Sequence, residues 1–490
     1  MLEFRCWWIR PKYKYGDELM KYLYSFLILL FLTVSANATD TYYCDTGDDT
    51  TGAGTKADPW QTWQKAVTTL DAGAAGDNIY LCEGGQFTYY SGAVNTTCTS
   101  GSPCLITSYQ PDDINPLDIG VKPVIVLATS GVTSGLQLSN NATYITVKDL
   151  KFLADEWVKT DTTWGIWLNA ETSHITIDNV TFEDVAVGVN VTGSLLGDSP
   201  HDYLTVKNSR FINNWNVGFI GGATYLKLLD NYFTRSGQNG GGRPIYINGS
   251  RDNWVADYAH DYLASGNIME YNIPADAGNG AYAGTGDVIN DYHCNGGDIF
   301  GGHGANMENL MYKNMVIRED RATALLVNTG CWGFTFDQGW PDADEDFRNL
   351  VFQNNEVYWA GTLPYGCSNC DGVRFVENIG YIRNNSGVGI RSSNKADEDA
   401  TYPTENMFVY YNLLVQDKVD TSNSQYGILG SPIAAASITV NAEWNVVIFS
   451  DDDANNKCTA TDTGSVVQNN FCFEIDSSGD FFVSTNYVTN

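Results

Sequence analysis

One spacing of apolar and polar positions recurs along most of the chain: apolar-x-apolar-x-(Asn/Asp)-x-x-apolar or aromatic. It reads Ile145-Thr-Val147-Lys-Asp149-Leu-Lys-Phe152, then Ile175-Thr-Ile177-Asp-Asn179-Val-Thr-Phe182, then Leu204-Thr-Val206-Lys-Asn208-Ser-Arg-Phe211. A further copy surrounds Leu226, Leu228, Asp230 and Phe233, and later copies centre on Asn314, Asn354, Asn378, Asn412 and Asn470. Alternation by two predicts a short strand with one buried face. Asn or Asp tolerates a left-handed bend and can bond nearby backbone, and a second short strand follows. A third strand follows a Gly-rich bend, as in Gly135-Leu-Gln-Leu138, Gly165-Ile-Trp-Leu168, Gly188-Val-Asn-Val191, Pro244-Ile-Tyr-Ile247 and Gly387-Val-Gly-Ile390. Three short strands per repeat predict a stack of coils, a parallel β-solenoid. Successive Asn/Asp anchors lie between 22 and 84 residues apart, and the longer gaps predict skipped coils or loop excursions.

These repeats resemble the right-handed parallel β-helix superfamily, the pectate-lyase-like fold. The amino end extends the resemblance: Tyr42-Tyr43-Cys44-Asp45, Gly47-Asp48-Asp49, Asp58-Pro59-Trp60 and Gln64-Lys65-Ala66-Val67 are similar to the opening of many secreted β-helix enzymes. The resemblance implies an all-β right-handed parallel β-helix over residues 39–475, with a short N-terminal capping helix that shields the first strand edges. Residues 476–490 are expected to form a C-terminal tail or cap strand. The superfold carries lyases, hydrolases, epimerases and non-catalytic spikes, so activity has to be argued from the site.

The first residues belong to processing. Lys21, the apolar run Tyr22 to Val34 and Ala36-Asn37-Ala38 predict a secretory signal peptide cleaved after Ala38. The apolar run is short for a membrane span, so residues 1–38 are read as an N-terminal extension and signal peptide. The mature protein is then expected at the cell surface or secreted, without a membrane span.

Lys+Arg number 27 against 58 Asp+Glu, a net charge of −31. Removing residues 1–38 takes away five basic and three acidic groups, so 22 against 55 leaves −33. Such a chain lacks the basic surface that nucleic-acid or anionic-membrane binding needs. Ten cysteines remain after that removal, and no His stands beside them at zinc-ligand spacing. Export favours disulfides; Cys98–Cys104 and Cys458–Cys472 are the best pairs, with Cys294/Cys331 also close to the candidate site.

The resemblance implies a substrate groove along the strand after the Gly-rich bend, called here the groove strand. Period-two alternation puts Trp167, Asn169, Asn190, Thr192, Tyr246, Asn248, Asp298, Asn328, Asp337 and Arg391 on its outward face. Aromatic rings and amides in a ladder suit a sugar polymer, and Trp167, Asn169, Tyr246, Asn248, Asn328 and Arg391 are the expected substrate contacts. The coil rhythm breaks over residues 276–340, where titratable groups concentrate. His293, Asp298, His303, Arg318, Arg321 and Asp337 are the catalytic candidates there. His174 shares its repeat slot with Tyr144 and is read as structural.

A lyase acting on a uronate polymer needs a base beside the carboxylate and a group to neutralise it. In this fold an Arg or Lys commonly supplies the first and calcium the second. Arg318, Arg321 and Arg391 fit base or clamp; Asp291, Asp298 and Asp337 supply the oxygen donors calcium takes. Gly302-His303-Gly304 is similar to a motif of polygalacturonases, and Gly389-Ile390-Arg391 resembles their Arg-Ile-Lys, but the acid motifs of that family are not found upstream. The sequence therefore predicts a secreted polysaccharide-degrading enzyme, first a lyase by β-elimination. The alternatives are a glycoside hydrolase on the same groove and a non-catalytic surface or filament protein. After removal of residues 1–38, six Asn-x-Ser/Thr sequons, at Asn95, Asn141, Asn179, Asn190, Asn248 and Asn384, would carry glycans in a glycosylating host; glycans at Asn190 or Asn248 would block the groove.

Overall fold

A computed structural model describes residues 38–112, 115–128, 133–154, 163–192, 201–237, 244–248, 259–270, 297–303, 307–318, 331–336, 347–360, 363–383, 387–394, 406–417, 425–432, 438–450, 456–460, 465–475 and 481–483. Among them the strands form three long sheets of 17, 14 and 12 strands. Each coil contributes one stretch to each sheet in turn. Ile145–Lys148 joins the 17-stranded sheet, Lys151–Ala154 the 14-stranded sheet and Thr163–Asn169 the 12-stranded sheet. The next coil repeats the sequence in parallel register, Phe152 opposite Phe182 and Ile166 opposite Val189. This is a right-handed parallel β-helix. Thr163–Asn169 and its successors are the groove strands of the sequence analysis.

The bend between the 17- and 14-stranded sheets shows why the repeat carries Asn and Asp. Asp149, Asn179, Asn208 and Asp230 all adopt left-handed backbone, with φ of 57°, 53°, 52° and 54°. Asn and Asp pay least for that conformation among residues with a side chain. They also bind each other across coils: Asn179 Nδ2 donates to Asp149 Oδ1 at 2.8 Å. Asn314 and Asn354 hold the same position at φ 53° and 52°.

Asn378, Asn412 and Asn470 do not occupy the bend. They sit one residue later, facing inward, after Glu377, Tyr411 and Asn469 at φ 57°, 59° and 56°. The later anchors thus belong to a second ladder inside the protein, which the shared letter Asn concealed. Two coils also escaped the pattern, because Gly266 and Trp444 hold their bends while Asn267 and Asn445 hold the inward place. In the inner ladder Asn355, Asn378, Asn412 and Asn445 are fully buried. Each amide bonds the next: Asn355 Nδ2 to Asn378 Oδ1 at 3.1 Å, Asn412 Nδ2 to Asn445 Oδ1 at 2.9 Å, Asn445 Nδ2 to Asn470 Oδ1 at 2.8 Å. A buried amide costs little only when its polar atoms are paired, and here the stacking of coils pairs them.

Phe152, Phe182, Phe211 and Phe233 stack along the core at centroid spacings of 5.6, 4.9 and 4.3 Å. Their ring edges lie where Gly135, Gly165, Gly188 and Gly218 would carry a Cβ. The Gly-rich bend of the sequence is therefore the space the phenylalanines fill. At the amino end, helix Trp63–Ala72 is capped by Thr62, whose Oγ1 accepts from Lys65 N at 3.1 Å. It buries Trp63, Ala66, Val67 and Leu70, one face at helical spacing, and Trp63 Nε1 donates to Gly135 O at 2.7 Å. At the other end, Phe481–Val483 pairs antiparallel with Phe471–Ile475. Disulfides join Cys44–Cys82, Cys98–Cys104, Cys367–Cys370 and Cys458–Cys472, the two pairs read from sequence among them. Cys294 lies outside the described residues, and of Cys331 only the backbone is described. No helix among the described residues is long and apolar enough to cross a membrane.

Candidate functional site

The groove strand does not alternate strictly. In Thr163–Asn169, Gly165 and Ile166 are both buried, while Trp164, Trp167 and Asn169 are half-buried. Two successive inward positions put the residue before the glycine on the same outer face as the residue two after it. Trp164 and Trp167 therefore meet, with ring centroids 4.5 Å apart at 60°. Trp164 was missed from sequence; the signal was the glycine that follows it.

Register then fixes the rows of the outer face. One row runs Trp167, Asn190, Ile220, Tyr246, Gly301, Thr335, Gly366 and Arg391. At about 4.8 Å per strand these seven steps span roughly 34 Å. A second row contains Asp298 beside Trp332 and Trp332 beside Leu363. A third contains Asn169 beside Thr192, and Asn248 beside His303. Asp298 pairs in register with half-buried Trp332, and Arg391 shares the row of half-buried Trp167.

Arg391 meets Trp332. Its guanidinium carbon lies 5.8 Å from the indole centroid, a cation–π distance. The intervening coil contributes Gly366 to the row of Arg391, so no side chain stands between them in that row. The pair thus sits two strands from Arg391's own position and immediately beside the strand that carries Asp298. Trp332, like Trp164, precedes a glycine (Gly333) and was missed for the same reason.

Asp298 and His303 belong to one strand, Gly297–His303. Five residues separate them, roughly 16 Å along the strand, so they stand at opposite ends of it. Their side chains, like that of Asn248, lie outside the described residues, as do Asp291, His293, Arg321, Asn328 and Asp337 entirely.

Arg318 requires a correction. It ends strand Val316–Arg318 of the 14-stranded sheet, not a groove strand. It is exposed, and its Nη1 donates to Glu270 Oε1 at 2.9 Å. Glu270 also accepts from Tyr232 Oη at 3.1 Å. Burial, reinforced by the bond from its hydroxyl to Glu356, pushes neighbouring Tyr358 up to about 12. An arginine engaged this way on another sheet is not a base for the groove.

Contacts account for two histidines. His174 lies between Tyr144 and Tyr203 at 4.1 and 4.4 Å in an outer aromatic stack, so its role is structural. His201 is buried and its Nδ1 pairs with Thr172 Oγ1 at 2.7 Å. Asn190 is only 7% exposed, which argues against a glycan there. Its Oδ1 has no hydrogen-bond partner among the described residues. The one group of His, Cys, Asp and Glu side chains close enough to share a metal among the described residues is Cys44, Asp45 and Cys82. Its two sulfurs form a disulfide, which leaves a single carboxylate.

No protein-family model matches the chain, and no curated protein matches it in sequence. Solved structures do. The A-module of the Azotobacter vinelandii mannuronan C-5 epimerase AlgE6 is similar at 12% identity, covering 84% of this chain and 94% of that one, with a TM-score of 0.52. A GH136 lacto-N-biosidase from Eubacterium ramulus (13% identity, 93% and 70% covered, TM-score 0.48) and PfbA, a surface adhesin of Streptococcus pneumoniae (13%, 87% and 96%, 0.41), are also similar. At such identities the likeness to the epimerase module establishes the shared parallel β-helix and nothing finer.

Proposed function

We propose that this protein is a polysaccharide-active enzyme whose 12-stranded sheet floors the substrate groove, and that it cleaves an acidic, uronate-containing polysaccharide by β-elimination. The observation that carries the reading is Arg391 drawn over Trp332, beside the strand of Asp298. An indole offers a flat apolar surface to a sugar ring, and a guanidinium offers paired donors to a carboxylate. The two together suit one uronate residue. Trp164, Trp167 and Tyr246 extend the same face by several coils, giving a polymer its further contacts.

In this reading a base removes the proton on the carbon bearing the carboxylate. The electron pair forms the double bond as the neighbouring carbon–oxygen bond breaks, and the departing oxygen takes a proton. Arg391 holds the carboxylate as negative charge builds on it. His303, at one end of its groove strand, and His293 and Arg321 are the candidates for the base and proton donor. Calcium belongs to the proposal as a second neutralising charge, held by the hard oxygen donors Asp291, Asp298 and Asp337. A chain of net charge −31 repels a polyanion, and salt or a divalent cation offsets this, since exposed charges more than about 8 Å apart are largely screened at physiological ionic strength.

Arg391→Ala and Arg391→Lys test the clamp. Weakened binding of a polyuronate in both, with the alanine variant worse and a neutral glucan unaffected, supports it. Unchanged polyuronate binding in both would remove Arg391 from the site.

A further inference from the structure

One outward row of the 14-stranded sheet loses its charged residues toward the carboxyl end of the solenoid. The row is mixed in its earlier coils, where Lys151, Thr181, Arg210 and Glu356 alternate with Tyr232, Ile268 and Val316. Over the last four coils the same row reads Ile379, Leu413, Val446 and Phe471. At the bend beside it stand Tyr411 and Trp444, in adjacent coils linked by Tyr411 N donating to Glu443 O at 3.2 Å. Tyr411 is 60% exposed, Phe471 49% and Trp444 45%. Exposed apolar groups gathered on a strongly acidic protein mark an interaction surface.

A second observation is independent of exposure. Tyr411 and Trp444 both hold φ 59°, at positions where other coils use Asp, Asn, Gly or Glu377. A large residue in left-handed backbone is strained, and neither ring stacks on another ring among the described residues. The Tyr144, His174, Tyr203 and Tyr225 rings, also in left-handed backbone, do stack face to face. Strain without an internal return points to an external one.

We propose that Tyr411, Trp444 and Phe471 form a second carbohydrate-binding surface, separate from the groove, that takes a neutral polysaccharide lying along the solenoid axis. The rings come one per coil, and the coil rise of about 4.8 Å is close to the length of one pyranose unit. Successive sugars of a chain can each place their apolar face on successive rings. Glu377, at the bend of the preceding coil, and Glu443, next to Trp444, flank the rings. Their carboxylates accept bonds from sugar hydroxyls and repel an anionic polymer, which selects a neutral ligand. The apolar strip is four strands wide, small against the ~800 Å² per partner of a standard protein interface, so a sugar chain fits it better than a second copy of the protein.

The test is depletion of the purified protein from solution by microcrystalline cellulose and by insoluble β-1,3-glucan. The wild type is retained on at least one of them. The double variant Tyr411→Ala/Trp444→Ala binds about tenfold or more weakly, while Tyr411→Phe/Trp444→Tyr keeps binding and Arg391→Ala in the groove leaves it unchanged. Equal thermal midpoints for wild type and variants separate lost binding from lost folding. Failure of the wild type to bind either solid, or full retention by the alanine variant, overturns the proposal. So does a wild-type dimer in sedimentation that the alanine variant breaks, which would assign the face to a second copy. None of these outcomes bears on the groove, whose test uses a soluble polyuronate.

Discussion

Asn378 Nδ2 donates to Asn412 Oδ1 at 3.0 Å, and the same oxygen accepts the Asn378 backbone N–H at 2.9 Å. One side chain thus satisfies two donors of the coil before it, both buried. Asn412 in turn donates to Phe375 O and Asn445 Oδ1, each at 2.9 Å. Asn412→Ala leaves these groups unpaired and is expected to lose about 2–4 kcal/mol. Asn412→Asp, which keeps the acceptor but turns a donor toward Asn445 into a charge, loses more. Denaturant midpoints of both variants check the order.

The glycine row makes a steric prediction. A Cβ at Gly165 would clash with the Phe182 ring and lie 2.6 Å from Gly188 O. Gly165→Ala is expected to lower stability by about 1–3 kcal/mol, while alanine at Gly101, where a Cβ would meet nothing within 4 Å, changes little. Paired thermal melts decide it.

Cys44–Cys82 closes 38 residues around the capped end, and Cys367–Cys370 closes three. By loop entropy the first is worth roughly 4 kcal/mol and the second less than half of that. Cys44→Ser/Cys82→Ser is therefore expected to unfold at clearly lower denaturant than Cys367→Ser/Cys370→Ser.

Asp184 gives a pH prediction. Burial raises its carboxyl above the usual range, against the bond from Asn213 that lowers it. The folded state keeps the proton to higher pH than the unfolded chain. Its contribution to stability is complete below the unfolded value and is lost as pH rises through the raised folded value. Asp184→Asn removes that dependence and keeps a residue suited to its φ of 59°. The variant is expected to gain on the wild type as pH climbs from the carboxylate range to neutrality, read as midpoint against pH.

How far the sequence was legible follows from which residues report on their neighbours. Asp149, Asn179, Asn208 and Asp230 announced the bend because left-handed backbone restricts the side chain there. Asn378, Asn412 and Asn470 carried the same letter for another reason, amide pairing between coils, and a pattern of letters could not separate the two. Trp164 and Trp332 were hidden because strict alternation turns them inward; only the packing of Phe182 against Gly165 doubles the inward step. Arg318 follows the Asn314 bend by four residues, in the second strand of that repeat, so its sheet could be counted from the anchor; grouping it by the local concentration of titratable residues overrode that count. The fold is periodic and each coil votes for it. The site depends on side chains that meet across coils, as Arg391 and Trp332 do, and nothing local in the sequence encodes that meeting.

The central claim is elimination on an acidic polysaccharide in the groove. Purified protein incubated with alginate, polygalacturonate and a neutral glucan, with calcium and with a chelator, is followed for ultraviolet absorbance of the unsaturated uronate and for reducing ends together. Both signals are expected to rise in step on one of the acidic polymers, to fall when calcium is removed and to drop by orders of magnitude in Arg391→Ala. Reducing ends that rise without the absorbance, on any of the three, would contradict β-elimination.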